Sequence, residues 1–214
     1  MTKHPATAPS RPGVLEVEAR DGSRILIRPI LPEDADRLRQ GFAELSEESR
    51  YLRFMAPMTH LPDEQVRYLT EVDYRDHMAW VALDPTRPGQ PGLGVARYVR
   101  VPDEPEVAEA AVTVVDSHHG RGIGTILLAL LALSARENGV RTFRAFVLDE
   151  NLQVLEILRE LGGTVEEHEG SVMRVDVPVP ASPDALPDTP TGRVLRDIAE
   201  RLIPPPDMLF PRTP

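Results

Sequence analysis

The 214-residue sequence contains no cysteine. That absence excludes disulfides, thiolate zinc sites and a cysteine nucleophile, and it fits a reducing compartment. Aromatic residues are few, at 5%, and no apolar run is long enough to span a bilayer. Met1 to Gly13 lack the apolar core of a signal peptide. A cytoplasmic protein with no membrane partner is expected. Cations are in short supply: 24 Lys and Arg stand against 34 Asp and Glu, for a formal net charge of -10. A nucleic-acid partner is thereby disfavoured, because phosphate binding calls for a basic face. The acidity serves solubility first, and a basic partner is the better electrostatic match. No metal site is expected either: adjacent His118 and His119 suit a shared ion poorly, and Asp116 is the one carboxylate close by in sequence.

What is present divides the chain into one domain with tails. Residues 1–14 are polar and proline-punctuated, and form an expected loose N-terminal tail. Residues 15–177 carry the periodic elements. A hairpin turns at Asp21-Gly22, and helices follow from Pro32, Ser46 and Asp63. Strands are expected over 78–83, 94–101 and 107–115, with Pro102 to Pro105 as a turn-rich link. A buried helix over 123–138, a strand over 143–148, a helix over 151–161 and two last strands complete the order. The fold class is α/β in the α+β sense, a mixed and mostly antiparallel sheet flanked by helices. Residues 178–214 are proline-rich around one amphipathic stretch, 192–203, in which Val194, Leu195, Ile198 and Leu202 share a face. A helix that short needs tertiary support, so docking on its own domain is favoured over a homodimer or partner contact.

The most informative run is Val112 to Leu128, an apolar strand that ends in a glycine loop opening an apolar helix. Gly120, Gly122 and Gly124 lack a Cβ, so backbone N–H groups and the positive end of the helix dipole can approach an anion. A Walker loop would need a lysine before Thr125, and residue 124 is glycine. A dinucleotide loop would need glycine where Thr125 stands, and it would begin near the N-terminus of its domain, so a dinucleotide-binding protein is the more remote alternative.

The remaining fit is Gln/Arg-x-x-Gly-x-Gly/Ala, and here the chain resembles the GNAT superfamily of N-acetyltransferases over roughly Ile25 to Val177. The resemblance implies acetyl-CoA as cosubstrate. Backbone N–H groups of His119, Gly120, Arg121, Gly122, Ile123, Gly124 and Thr125 would hold its pyrophosphate, and Val112, Thr113 and Val114 would pair with the pantetheine arm as an added strand does. His119 departs from the usual first position, which predicts weaker or pH-sensitive binding rather than loss. Asp149 to Gly163 resembles the helix that flanks the coenzyme, with Asn151 at its start; asparagine there serves equally as an N-cap. Leu158 replaces the tyrosine held to protonate the departing thiolate, so water would take that part.

Transfer to an amine needs a base, because a lysine ammonium of pKa about 10.4 must lose a proton before it attacks a thioester. Glu109, in the otherwise apolar run Val107 to Val115, is the candidate, and burial among those neighbours would raise its pKa; a solvent-facing glutamate is the alternative. Glu104 and Glu106 are set aside as belonging to the preceding turn. Ile27 to Ala35, Leu45 to Phe54, Glu71 to His77 and Val107 to Ala110 are similar to bacterial protein lysine acetyltransferases of the Pat type. In them the glutamate matching Glu109 is the base and the acceptors are lysines of metabolic enzymes. Some members carry a fused cyclic-nucleotide-binding domain, and regulation by a cyclic nucleotide is not expected within this chain. Arg50 to Phe54 is a candidate for the acceptor side, against a plain packing helix with its arginines in solvent. The alternatives to a protein lysine acceptor are a small amine, or a catalytically silent module that binds acyl-CoA.

Overall fold

The computed structural model describes residues 13–202, without the side chain of Leu202. The expected N-terminal tail lies outside them up to residue 12, as does the chain beyond 202. β1 (Leu15–Glu18) and β2 (Arg24–Pro29) form the hairpin, where Asp21 accepts the Ser23 N–H at 3.1 Å. Three helices follow, α1 (Ala35–Glu44), α2 (Glu47–Phe54) and α3 (Asp63–Thr70). Ser46 caps α2 by accepting the Ser49 N–H at 3.1 Å. Then come β3 (His77–Leu83), β4 (Gly92–Val101), β5 (Glu104–Val114), α4 (Ile123–Glu137), β6 (Thr142–Leu148), α5 (Leu152–Glu160), β7 (Thr164–Glu169), β8 (Val172–Pro178) and α6 (Pro190–Leu202).

The eight strands form one sheet in the order β1-β2-β3-β4-β5-β6-β8-β7. Every neighbouring pair is antiparallel except β5 and β6, which α4 joins as a crossover. β3 is buried along its whole length, which is why its sequence is apolar without alternation. One face of the sheet, with Met78, Trp80, Ala96, Tyr98 and Ala108, packs against Ile123, Leu127, Leu130 and Leu131 of α4. Burial on that scale contributes roughly 1.5–3 kcal/mol per large side chain. Inside the contact the Trp80 Nε1–H donates to Ser134 Oγ at 3.0 Å, so neither polar group is orphaned. On the other face Ile30, Ala79, Val81 and Leu83 form a second cluster, while Phe42, Val66 and Leu69 seat α1 and α3.

The parallel pair positions the site. β5 and β6 are in register only at Val107↔Thr142, Ala108↔Phe143 and Glu109↔Arg144; from there β5 runs on to Val114 and β6 to Leu148 without pairing with each other. The two strands thus diverge and leave a cleft between them. At the closed end of the V, Arg144 donates to Asp176 of β8 at 3.0 and 2.9 Å and to Glu104 at 2.6 Å. Glu104 is therefore a strand residue: β5 starts three residues before Val107, because Pro102-Asp103 makes a two-residue turn and Glu104 already pairs with Val101. Replacing Arg144 by Gln removes the bridge across three strands. Urea unfolding should show a loss of about 2 kcal/mol, in the range for hydrogen bonds to charged groups, with a smaller loss for Glu104→Gln, whose carboxylate is half exposed.

Candidate active site

The cleft has a volume of about 1140 Å³. Its floor is the diverging pair, Ala110 to Val114 on one side and Phe143 to Val147 on the other. Its ends are the glycine loop and a wall built by α2 and α3. Among the described residues that line it, Glu109 is the only carboxylate, in a chain whose formal net charge is -10. Arg20, Arg53, Arg97, Arg136 and Arg144 line it as well. The local charge is the reverse of the overall one.

At the glycine end, Gly120 and Gly122 sit at φ +75° and +81°, in the left-handed region that disfavours side chains. Gly122 is the N-cap of α4 and no side chain caps that helix, so its first-turn N–H groups are available to an anion. Gly124 packs on β5, where an added Cβ would lie 3.5 Å from Val114. His119 is exposed, and its Nε2–H donates to the Val114 carbonyl at 2.9 Å, tying the loop to the strand end. Thr125 and Ile123 both line the cleft, Ile123 with its side chain buried in the core. The Arg121 side chain turns away, to Asp21 at 2.7 Å and to Ser23, and clamps the loop to the β1–β2 turn. That clamp delivers a residue invisible to motif reasoning: Arg20, whose N–H donates to the Arg121 carbonyl at 3.1 Å and whose side chain lies against Gly122. The Arg20 guanidinium has no hydrogen bond or ion pair among the described residues and lines the cleft beside the loop.

Val112, Thr113, Val114 and Glu109 all line the same cleft. Glu109 is exposed, contrary to the burial expected from its sequence neighbours. Strand alternation is the reason: Ala108 and Ala110 pack toward α4, which sends Glu109 to the opposite face. There it shares a face with Val99 and, one register step away, with Arg97.

The α2–α3 wall is fastened to the loop by Asp116, which accepts from the Ser46 N–H at 2.9 Å and from the Ser46 and Ser49 hydroxyls at 3.0 and 2.6 Å. Burial alone would raise the Asp116 pKa, but these bonds outweigh it and hold the carboxyl below its usual range. Asp116 is thus a structural brace and offers little to a metal. Arg50 lies over the Phe42 ring at 5.1 Å, so it is not in open solvent. Arg53 lines the cleft with its guanidinium over Phe54 at 5.0 Å. Arg97 is buried, donating to His77 Nε2 at 3.0 Å and to the Leu69 carbonyl at 3.1 Å. Burial, then the adjacent Arg97 charge, push the His77 pKa down to about 4 against the pull of Asp73.

On the far side Asn151 also lines the cleft, and its side chain caps α5 by accepting the Val154 N–H at 3.3 Å. Leu158 lines the cleft and packs in an apolar cluster with Ala129, Leu161, Val177 and Leu195. Leu195 belongs to α6, and Ala199 is buried with it. Leu195 and Ala199 of α6 are therefore packed within the chain, as docking on its own domain requires. The side chain of Leu202 lies outside the described residues.

A mixed sheet whose one parallel pair diverges beside an uncapped glycine-loop helix defines a family. Residues 24–164 match the acetyltransferase (GNAT) domain, and the chain belongs to that family. Within it, the chain is 37% identical over 195 residues to the acetyltransferase Pat of Mycolicibacterium smegmatis, covering 87% of this chain and 57% of that protein. It is 35% identical over 121 residues to the acetyltransferase PA5475 of Pseudomonas aeruginosa, covering 56% of this chain and 64% of the relative. The chain thus spans less than two thirds of both curated relatives. The solved GNAT domain of S. lividans PAT superposes with a TM-score of 0.69 at 32% identity, covering 77% of this chain and 96% of that one.

The buried His77 makes stability pH-dependent. An unfolded histidine protonates near pH 6.5, while the folded one resists until about 4. Stability from this group is complete above pH 6.5 and is lost as pH falls toward 4. Urea titrations at both pH values should show wild type losing about 3 kcal/mol more than His77→Gln. Equal losses would place the proton elsewhere.

Proposed function

We propose that this chain transfers acetyl from acetyl-CoA to an amine, most readily a protein lysine, with Glu109 as general base. One observation carries the reading: the sole carboxylate among the described residues lining the cleft stands at the last paired residue of β5, where β5 and β6 part. The residues fit an acyl-CoA. The edge of β5 beyond Glu109 is free of β6, so Val112, Thr113 and Val114 can pair with the amides of a pantetheine arm. Gly120, Gly122 and Gly124 leave the backbone of the α4 N-terminus open to a pyrophosphate. Arg20 adds a cation at that end. Likeness to the acetyltransferase Pat supports acetyl transfer, and the sequence resemblance to Pat-type enzymes implies a protein lysine as acceptor.

Glu109 would take the proton from the acceptor ammonium, directly or through a water, and the freed amine would attack the thioester carbon. A β5 N–H near Val112 to Val114 would donate to the carbonyl oxygen as negative charge develops on it. Coenzyme A would leave as a thiolate and be protonated by water, since Leu158 carries no proton. The bound arm and acceptor would themselves bury Glu109, supplying what its neighbours on the strand do not.

Glu109→Gln should lower kcat for acetylation of a lysine peptide by about 100-fold or more while acetyl-CoA affinity, read by calorimetry, stays unchanged. An unchanged kcat rejects the base. Arg20→Ala should weaken acetyl-CoA binding about 10-fold, in line with loss of one charged contact of roughly 1.4 kcal/mol, and leave kcat at saturation intact. The sequence holds one lysine, Lys3, so labelled acetyl recovered in added protein is read against little self-labelling.

A further inference from the structure

The acceptor wall holds a charge imbalance that acetyl transfer alone does not require. Arg97 is 5% exposed, and its partners are the Leu69 carbonyl and His77. His77 is held neutral at ordinary pH by burial and by Arg97 itself. Arg53 has no hydrogen bond or ion pair among the described residues. Arg53 and Arg97 line the same two hollows of the surface, and after burial the Arg53 charge helps push the Arg97 pKa down to about 9. Asp73, the carboxylate that acts on His77, is engaged by the N–H groups of Arg75, Asp76 and His77 at 2.9, 2.8 and 2.8 Å. Several arginines elsewhere pair with acids: Arg28 and Arg37 share Asp34, Arg100 holds Asp76, Arg144 bridges Glu104 and Asp176. Two like charges set together in a half-buried wall repel each other, and an anion between them would remove the repulsion.

We propose that Arg53 and Arg97 form a carboxylate subsite for the acceptor, so that the preferred amine lies close to an acidic group. The planar forks of two guanidiniums match a carboxylate. Glu109 stands on the same sheet face as Arg97, one diagonal step along the β4–β5 ladder, a backbone separation of roughly 7–8 Å. Opposite charges at that spacing select an ammonium at Glu109 and a carboxylate at the arginines. A lysine with Asp or Glu beside it carries both, and so does a free diamino acid. The local selection thus runs against the overall acidity, which favours a basic partner only at long range.

The inference rests on the acetyl-transfer reading for its account of the amine, but binding tests it separately. Fluorescence anisotropy, with coenzyme A present, compares a labelled peptide holding Asp next to lysine with the same peptide holding Asn. Wild type should bind the acidic peptide at least 10-fold more tightly, and Arg53→Gln should abolish the difference. Arg53 is half-buried and has no hydrogen-bond partner to lose, so this variant should fold, and its urea midpoint checks that. Lysine and lysinamide as competitors form a second arm: an Arg53-dependent preference for lysine supports the same subsite with an α-carboxylate as guest. Equal binding in both arms, or a preference that survives Arg53→Gln, overturns the proposal. So does an Arg53-dependent preference for succinyl-CoA over acetyl-CoA, which would assign the arginines to the acyl donor. Turnover is scored apart: a wild type that binds the acidic peptide selectively but acetylates no amine upholds the subsite and contradicts the transfer reading.

Discussion

The ladder between β5 and β6 stops after three residue pairs, and the rest of the site depends on that stop. A parallel pair that ran its full length would fill its own edge with hydrogen bonds and leave nowhere for an extended ligand. Divergence keeps one edge of Ala110 to Val114 unpaired by β6, although β4 still holds the other edge of the strand. Two features enforce the divergence. Arg144 fixes the closed end through Glu104 and Asp176, and α4, anchored by an apolar face that is nearly all buried, fills the space on one side of the sheet. Glu109 occupies the hinge of the V because it is the last residue that β5 pairs with β6.

Charge is distributed around this geometry with a purpose that the net value hides. Acids outnumber cations in the chain as a whole, while among the described residues the cleft is lined by arginines around a single glutamate. Arg20 stands at the glycine loop, held there because Arg121 clamps the β1–β2 turn through Asp21. Arg53 and Arg97 stand at the other end on α2 and β4. The cleft therefore has two cationic ends with Glu109 between them. Asp116 couples the ends mechanically, since it starts the glycine loop and receives the N-terminus of α2. A shift of α2 would be felt in the loop.

Much of this was legible in the sequence, and the limits are physical. The order of elements followed from periodicity, and the place of the glycine loop was readable because Gly120, Gly122 and Gly124 follow an apolar strand and precede an apolar helix. The docking of α6 was implied by its one-sided apolar face, though its partners on α4 and α5 were not. Pairing, by contrast, is tertiary: nothing local to Glu109 or Arg144 tells where a parallel ladder ends. The exposure of Glu109 was misjudged because neighbours in a strand point to opposite faces, so apolar flanks describe the wrong side. The start of β5 was placed late because Pro102 and Pro105 suggested a longer turn than the two residues used. Arg20 lies about a hundred residues before the loop it serves, and a conventional turn gave no sign of its destination. Arg53 and Arg97 come from separate elements and meet only in the fold.

The central claim is that the open edge of β5 and the glycine loop together receive an acyl-CoA. Amide hydrogen exchange measured with and without saturating acetyl-CoA tests it residue by residue. The account predicts slowed exchange across 110–114 and 119–125, with β3 and the buried side of α4 unchanged. Protection confined to other segments, or none at all under saturation, would contradict it.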